Sequence, residues 1–334
     1  MARLVINGAD TALGQSIRAV AQATTGHDIV AGDSPDDLRA GDRVVMLAAR
    51  RGDEVDGTTV GGVDLAGTAR WLDAAASARP DSIVVLSSAM VYGAWADNPI
   101  PLTEDARLRP NPGCRFAVAK AELERLAAEF HREVPDVAVS VLRPTLTVRS
   151  DSGAVEWLER SLWHTPTIQN GHADPPRQFL HLDDLAAAVV VALESRFTGA
   201  ANVAPEGWLA APSQLALAGK SGTLRVPEGA AGGVADMRWR FQLTSTPPDV
   251  VPYTMYPWVV ASDRMRSLGW TPQFTNEEAF VVGHRETWWS SLSARQRQEV
   301  SLGAMVGGLV AIGGGVGAVV RRAAQRSSRA NRAG

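Results

Sequence analysis

The chain has 334 residues, 45% apolar and 21% charged, with a formal net charge of −3 and a single cysteine, Cys114. This composition is that of an ordinary globular protein, and the lone cysteine excludes a disulfide-stapled scaffold and suits a reducing compartment. Seven arginines and one glutamate from Arg295 onward leave residues 1–294 at about −9; that body has no basic face to displace counterions from phosphates, so no nucleic-acid partner is expected.

Short apolar runs alternate with helical patterns, which predicts an α/β fold with a parallel sheet and crossover helices. Residues 3–7 read as the first strand and 14–22 as the helix after it. Residues 27–31 read as the second strand, 43–48 as a central strand and 60–78 as a long helix. Then come a strand at 82–86, a helix at 116–132 and a strand at 138–142. These strands are rich in Val, Ile and Leu, as strands covered on both faces are. Only about eleven residues separate the second strand from the third, fewer than one strand-to-strand crossover needs. From 154 the pattern turns irregular, with more Pro, Trp and His, as in a smaller appended lobe. The expected division is 1–150, 151–294 (with some segments returning to the first unit) and a tail at 295–334. Met1 leads straight into Leu4-Val5-Ile6 with no basic, signal-length leader, so the body is expected in the cytoplasm.

The segment from Asn7 to Gly14 follows a strand and opens a helix, the context in which a glycine-rich turn brings backbone amides up to a pyrophosphate. Gly8 and Gly14 hold two of the three glycine positions, and Thr11 holds the middle one. A Cβ there crowds the place of the phosphates. Asp33 ends the second strand, where a carboxylate accepts from a ribose diol and repels a 2′-phosphate, favouring NAD over NADP. Leu13 and Ala48 complete the expected cofactor contacts. A plain strand-to-helix turn with a capping aspartate would need the same residues.

Further on, the motifs fall in an order that resembles the extended short-chain dehydrogenase/reductases, the NAD-dependent epimerase/dehydratases of nucleotide sugars. Met46-Leu-Ala-Ala49 is similar to that family's His-Leu-Ala-Ala, and Asp64-Leu-Ala-Gly67-Thr68 to its Asn-x-x-Gly-Thr. Ser87-Ser88-Ala-Met-Val91-Tyr92-Gly93 matches Ser-Ser-x-x-Val-Tyr-Gly, and Phe116-Ala-Val-Ala-Lys120 matches Tyr-x-x-x-Lys. Leu142-Arg143-Pro144, the stretch from Arg177 to Asp184, and Leu268-Gly269-Trp270-Thr-Pro272 extend the likeness over residues 2–290. The resemblance implies a Rossmann-type doubly wound sheet with a smaller C-terminal substrate lobe, NAD as cofactor and a nucleotide sugar or related small molecule as ligand.

In such enzymes a tyrosinate takes a proton as hydride passes to the nicotinamide, and the lysine lowers the tyrosine pKa and holds the ribose. The resemblance gives Ser88, Lys120 and Phe116 the catalytic positions, Phe116 standing in place of the tyrosine. It gives Ser88, Tyr92, Arg177 and Trp208 the substrate contacts, Arg177 as the diphosphate-gripping guanidinium. Departures gather at the chemistry. Thr11 replaces a glycine, Asp64 an amide, Leu146 an asparagine that often follows Arg-Pro, and Phe116 takes no proton at all. Tyr92 and Cys114 are the candidates for a relocated base. His181 and tryptophans such as Trp258 read as packing. The expected activity is therefore weakened or altered hydride transfer, or else a non-catalytic nucleotide sensor or scaffold. Pairing as a homodimer stays open.

The tail has twenty uncharged residues at 301–320, seven of them glycine, between Arg295 and Arg297 on one side and five arginines on the other. A span with a cytosolic body would put the five-arginine end outside, against the usual bias. Attachment to the inner leaflet of the plasma membrane, or to a membrane-protein partner, through 301–334 is the preferred expectation, beside a span or a disordered extension.

Overall fold

The structure is a computed structural model that describes residues 2–48, 59–60, 62–149, 153–154, 168–170, 175–218, 224–241 and 248–283. The tail at 301–334, with every expectation attached to it, lies outside these residues.

Six strands form a wholly parallel sheet: β1 (Arg3–Asn7), β2 (Asp28–Ala31), β3 (Arg43–Met46), β4 (Ser82–Leu86), β5 (Ala138–Pro144) and β6 (Gly199–Val203). Their order is β6-β5-β4-β3-β1-β2. Alternate strand residues feed opposite layers, as a two-residue repeat dictates. Leu4, Ile6, Val45 and Val84 pack with α1 (Ala12–Thr24) and α4 (Leu182–Glu194). Val5, Val44, Met46, Ile83 and Val85 pack with α2 (Leu65–Ala78) and α3 (Arg115–Glu133). The expected doubly wound sheet is therefore present.

From β1 the chain winds one way to β2 and then crosses to β3 on the other side. The crevice outside the carboxyl ends of β1 and β3 lies at this reversal, where open α/β sheets bind their ligands. β2 is the sheet edge, and the short link to β3 holds only a turn of 3₁₀ helix, Pro35–Asp37, in keeping with its length.

The helix expected over 60–78 begins only at Leu65. Thr59–Val60 and Val63–Asp64 pair antiparallel instead, around Gly62 at φ +84°. Asp64 then starts the helix by accepting from the Gly67 N–H at 2.7 Å. Periodicity alone merges Val60 and Val63 with the helix, because the apolar spacing continues across the turn.

The described residues fall within one unit, Met1–Arg285. Met90, Tyr92 and Cys114 share a buried cluster with Phe179, Tyr253, Trp258 and Phe280 from the later chain. α4 and β6 belong to the main layers. Beyond β5, Leu146–Arg149 pairs in parallel with Phe179–His181, and the helix Asn276–Gly283 seats Phe280 edge-on against Phe179 at 5.0 Å. Among the described residues no helix is long and apolar enough to cross a membrane.

Candidate cofactor and substrate cleft

The turn after β1 puts Gly8 at φ +89°, a conformation that glycine adopts without strain. Three residues on, Thr11 is the N-cap of α1. Its hydroxyl donates to the Gly8 carbonyl at 2.7 Å and accepts from the Gly14 N–H at 3.1 Å. The side chain that replaces a glycine thus serves the helix, and occupies one of the helix-end donors that a phosphate would use. Gly14 is required by close packing, since a Cβ there would lie 2.3 Å from the Gly8 oxygen. Leu13, beside it, is buried and faces the cleft.

Two adjoining cavities share Ala48. One, about 260 Å³, is lined by Asn7, Gly8, Asp33, Asp64, Arg70 and Trp71, among others. The other, about 70 Å³, includes Thr11, Leu13, Ser88, Phe116, Lys120 and Thr147. Ala48 sits at φ +50°, left-handed for a residue with a Cβ, a strain of about 1–3 kcal/mol placed at the junction. The cleft therefore runs from Asp33, past the glycine turn, to Lys120.

Lys120 is only 6% exposed. Its ammonium donates to the Leu86 carbonyl at 2.8 Å and stands 5.7 Å from the Phe116 ring centre. Ser88 caps the short 3₁₀ turn Ala89–Tyr92, its hydroxyl accepting from the Met90 N–H at 3.2 Å. Glycine turn, Asp33, Ala48, Ser88, Phe116 and Lys120 are thus brought to one cleft, with a backbone cradle that a Cβ at position 14 would close. These residues fit a dinucleotide.

Other expected contacts lie elsewhere. Tyr92 is fully buried and outside the cleft lining: its hydroxyl donates to Asn202 at 2.8 Å and accepts from Arg143 at 2.7 Å. The expected substrate contact at Tyr92 is corrected accordingly, because the side chain is buried in the cluster with Phe179, Tyr253 and Trp258 and its hydroxyl is taken up by Arg143 and Asn202. Burial pushes its phenol up despite the Arg143 charge, and burial pushes the Cys114 thiol up to about 11. Burial favours the protonated form of both, which disfavours either as a relocated base. Arg177 is buried, and its backbone pairs with that of Leu209 in an isolated bridge, which brings half-exposed Trp208 beside it in the lobe. Neither lines the two cavities above. His181 caps α4 through its Nδ1 and stacks on Phe274, and Trp258 is buried, so both pack as expected.

Sequence reasoning missed Glu124. It is buried one turn beyond Lys120 and forms an ion pair with Arg143 at 2.6 Å. A glutamate four residues after the lysine, on the buried side of the helix, was the available signal.

A doubly wound parallel sheet with a glycine turn at its reversal defines a dinucleotide-binding type of α/β fold. Residues 33–204 match the model of the NAD dependent epimerase/dehydratase family, and the chain belongs to that family. Membership assigns it NAD as cofactor. The match begins at Asp33, after the glycine turn that carries Thr11.

An uncharacterized protein of Mycobacterium tuberculosis is 28% identical over 201 residues, covering 59% of this chain and 52% of that one. Another from Sinorhizobium fredii is 33% identical over 136 residues, covering 39% and 32%. The chain thus spans about half or less of the length of these curated relatives.

Among solved structures, a tyrosine-to-phenylalanine mutant of UDP-glucuronic acid 4-epimerase from Bacillus cereus, with a fluorinated UDP-sugar and NAD, has a TM-score of 0.60 at 15% identity. It covers 84% of this chain and 97% of its own. A short-chain dehydrogenase/reductase superfamily protein from Agrobacterium tumefaciens with bound NAD also scores 0.60, at 18% identity, over 84% and 96%. RMD from Pseudomonas aeruginosa, complexed with NADPH, scores 0.58 at 18% identity, over 85% and 98%. At these identities the likeness is one of fold.

Proposed function

We propose that this protein binds NAD along the cleft from Asp33 to Lys120 and a nucleotide sugar or related small molecule beyond Ser88, with hydride-transfer chemistry weakened because Phe116 replaces the tyrosine. The observation that carries this reading is Phe116 beside Lys120 in the cleft that Ser88 also lines. Gly8, Thr11, Leu13, Gly14 and Ala48 would hold the phosphates, Asp33 the adenosine ribose and Lys120 the second ribose. NAD, when bound, supplies the hydride acceptor. The Ser88 hydroxyl would orient a substrate oxygen, and Arg177 and Trp208 would meet the far end of a longer substrate. Among the described residues lining this cavity, Phe116 stands where the tyrosine would take the proton, and its ring takes none.

The same observation favours a second reading, a non-catalytic protein that binds a nucleotide for sensing or scaffolding. Among the described residues lining the inner cavity, Lys120 is the only side chain with an ionisable acid or base group. Calorimetry with NAD, followed by turnover assays with UDP-sugars on wild type and Phe116→Tyr, separates the two. Binding with turnover that rises in the variant supports the weakened enzyme; binding with none in either supports the sensor. No NAD binding rejects both in favour of a partner scaffold. Attachment to the plasma membrane or to a membrane-protein partner through 301–334 is a separate part of the proposal. It predicts that removal of residues 296–334 frees the protein from membrane fractions, and unchanged fractionation rejects it.

A further inference from the structure

Glu124 and Arg143 are 7% and 5% exposed, behind the cleft rather than in it. The Arg143 Nη2 donates to Oε2 at 2.6 Å, and its Nε reaches Oε1 and Oε2 at 3.0 and 3.2 Å. The Ser87 hydroxyl donates to the same carboxylate. Arg143 Nη1 donates to the Tyr92 hydroxyl, which in turn donates to the Asn202 Oδ1 on β6. One buried network thus joins the carboxyl ends of β4, β5 and β6 to α3.

We propose that Glu124 is a positioning residue: with Arg143 it clamps α3 to the end of β4, so that Lys120 and Ser88 keep their places in the cleft. The clamp has two points. Leu86 offers its carbonyl to Lys120, and Ser87, next in the chain, offers its hydroxyl to Glu124, one helical turn further along α3. Adjacent residues of one strand end therefore grip consecutive turns of one helix, and Ser88 follows directly. The Leu86 bond alone would hold only the tip of a four-carbon arm; the Glu124 bond fixes the height of the helix itself.

Energetics argue for geometry over stability. A buried ion pair gains little over apolar side chains of the same volume, because desolvation offsets the attraction. What a forked guanidinium on a carboxylate does supply is a fixed direction.

The inference rests on the cofactor reading above only for its binding readout. The test uses the full chain and three variants: Ser87→Ala, Glu124→Gln, and the paired Glu124→Met with Arg143→Met. Each is followed by thermal melting, by NAD calorimetry and by acetic anhydride labelling of Lys120 read by mass spectrometry. Lys220, the other of the two lysines, is the internal reference. The paired variant should melt within a few degrees of wild type, label faster at Lys120 and bind NAD about 10-fold more weakly, as a misplaced group does. A folded paired variant with wild-type labelling would overturn the clamp. If that variant does not fold, Ser87→Ala decides by the same labelling, faster for the clamp and unchanged against it. Wild type that fails to bind NAD would sink the cofactor reading, while the labelling still decides the clamp.

Discussion

The Lys120 ammonium lies 5.7 Å from the centre of the Phe116 ring and donates to the Leu86 carbonyl at 2.8 Å. An ammonium that would otherwise stabilise a phenolate faces the π-cloud of an unreactive ring, a contact worth about 0.5–2 kcal/mol. Phe116→Tyr restores the missing proton acceptor with no change of backbone. If the cleft is otherwise complete, turnover with a UDP-sugar and NAD, read by chromatography of the sugar nucleotide product, should rise by about two to four orders of magnitude. A variant that binds NAD yet shows no turnover would favour the non-catalytic reading.

Thr11 sets a trade between helix and ligand. Thr11→Gly removes the hydroxyl that accepts from Gly14 and opens the turn. The loss of the cap should cost a few tenths to about 1 kcal/mol in thermal melts. NAD affinity by calorimetry should move the opposite way, because the Gly14 N–H becomes available and a Cβ leaves the phosphate path. A variant that loses stability without gaining affinity would show that the turn is built for the helix alone.

Gly14→Ala tests the cradle from its other side. The added methyl would meet the Gly8 oxygen at 2.3 Å and the Ala9 Cα at 2.7 Å, both backbone atoms that cannot swing aside. An overpacking cost of about 1–3 kcal/mol is expected in chemical denaturation, with NAD affinity lost as Gly8 shifts. An unchanged midpoint would mean that α1 does not pack as closely on β1 as described.

Much of this architecture was legible in the chain. Runs such as Leu4-Val5-Ile6 and Ile83-Val84-Val85 are apolar at every position, which only a strand covered on both faces requires. The link between β2 and β3 was too short for an added strand, and none is there. The motif residues Gly8, Ser88, Phe116 and Lys120 line the adjoining cavities because each lies at the carboxyl end of a parallel strand or on the helix beside it. Side-chain direction was not legible. Tyr92 sits in a matching motif, yet its hydroxyl turns inward to Arg143 and Asn202, residues distant in the chain. Nor was the Glu124 clamp, since its partners come from β4 and β5, and local patterns carry no information on which distant arginine meets a helix glutamate. Nor was the shared packing of early and late chain legible, where Phe179, Trp258 and Phe280 complete a core begun by Met90 and Cys114.

Cys114 gives a prediction in pH. It is fully buried at the start of α3, and burial pushes its thiol from an ordinary value of 9.0 up to about 11, with the Asp249 carboxylate adding to the shift and the Ala117 and Phe116 backbone opposing it. The folded value lies above the unfolded one, so the contribution is fully present below pH 9 and is lost as pH rises through 11. In that window the unfolded chain releases a proton that the folded chain retains, and stability falls by about 2–3 kcal/mol. Chemical denaturation of wild type and Cys114→Ala across pH 8–11 isolates this part, since every other titrating group is common to both. The wild-type curve should drop more steeply, and native protein should resist thiol reagents at pH 8 until denaturant is added. Parallel curves, or rapid native labelling, would place the thiol at a solvated position and return it to consideration as a base beside Phe116.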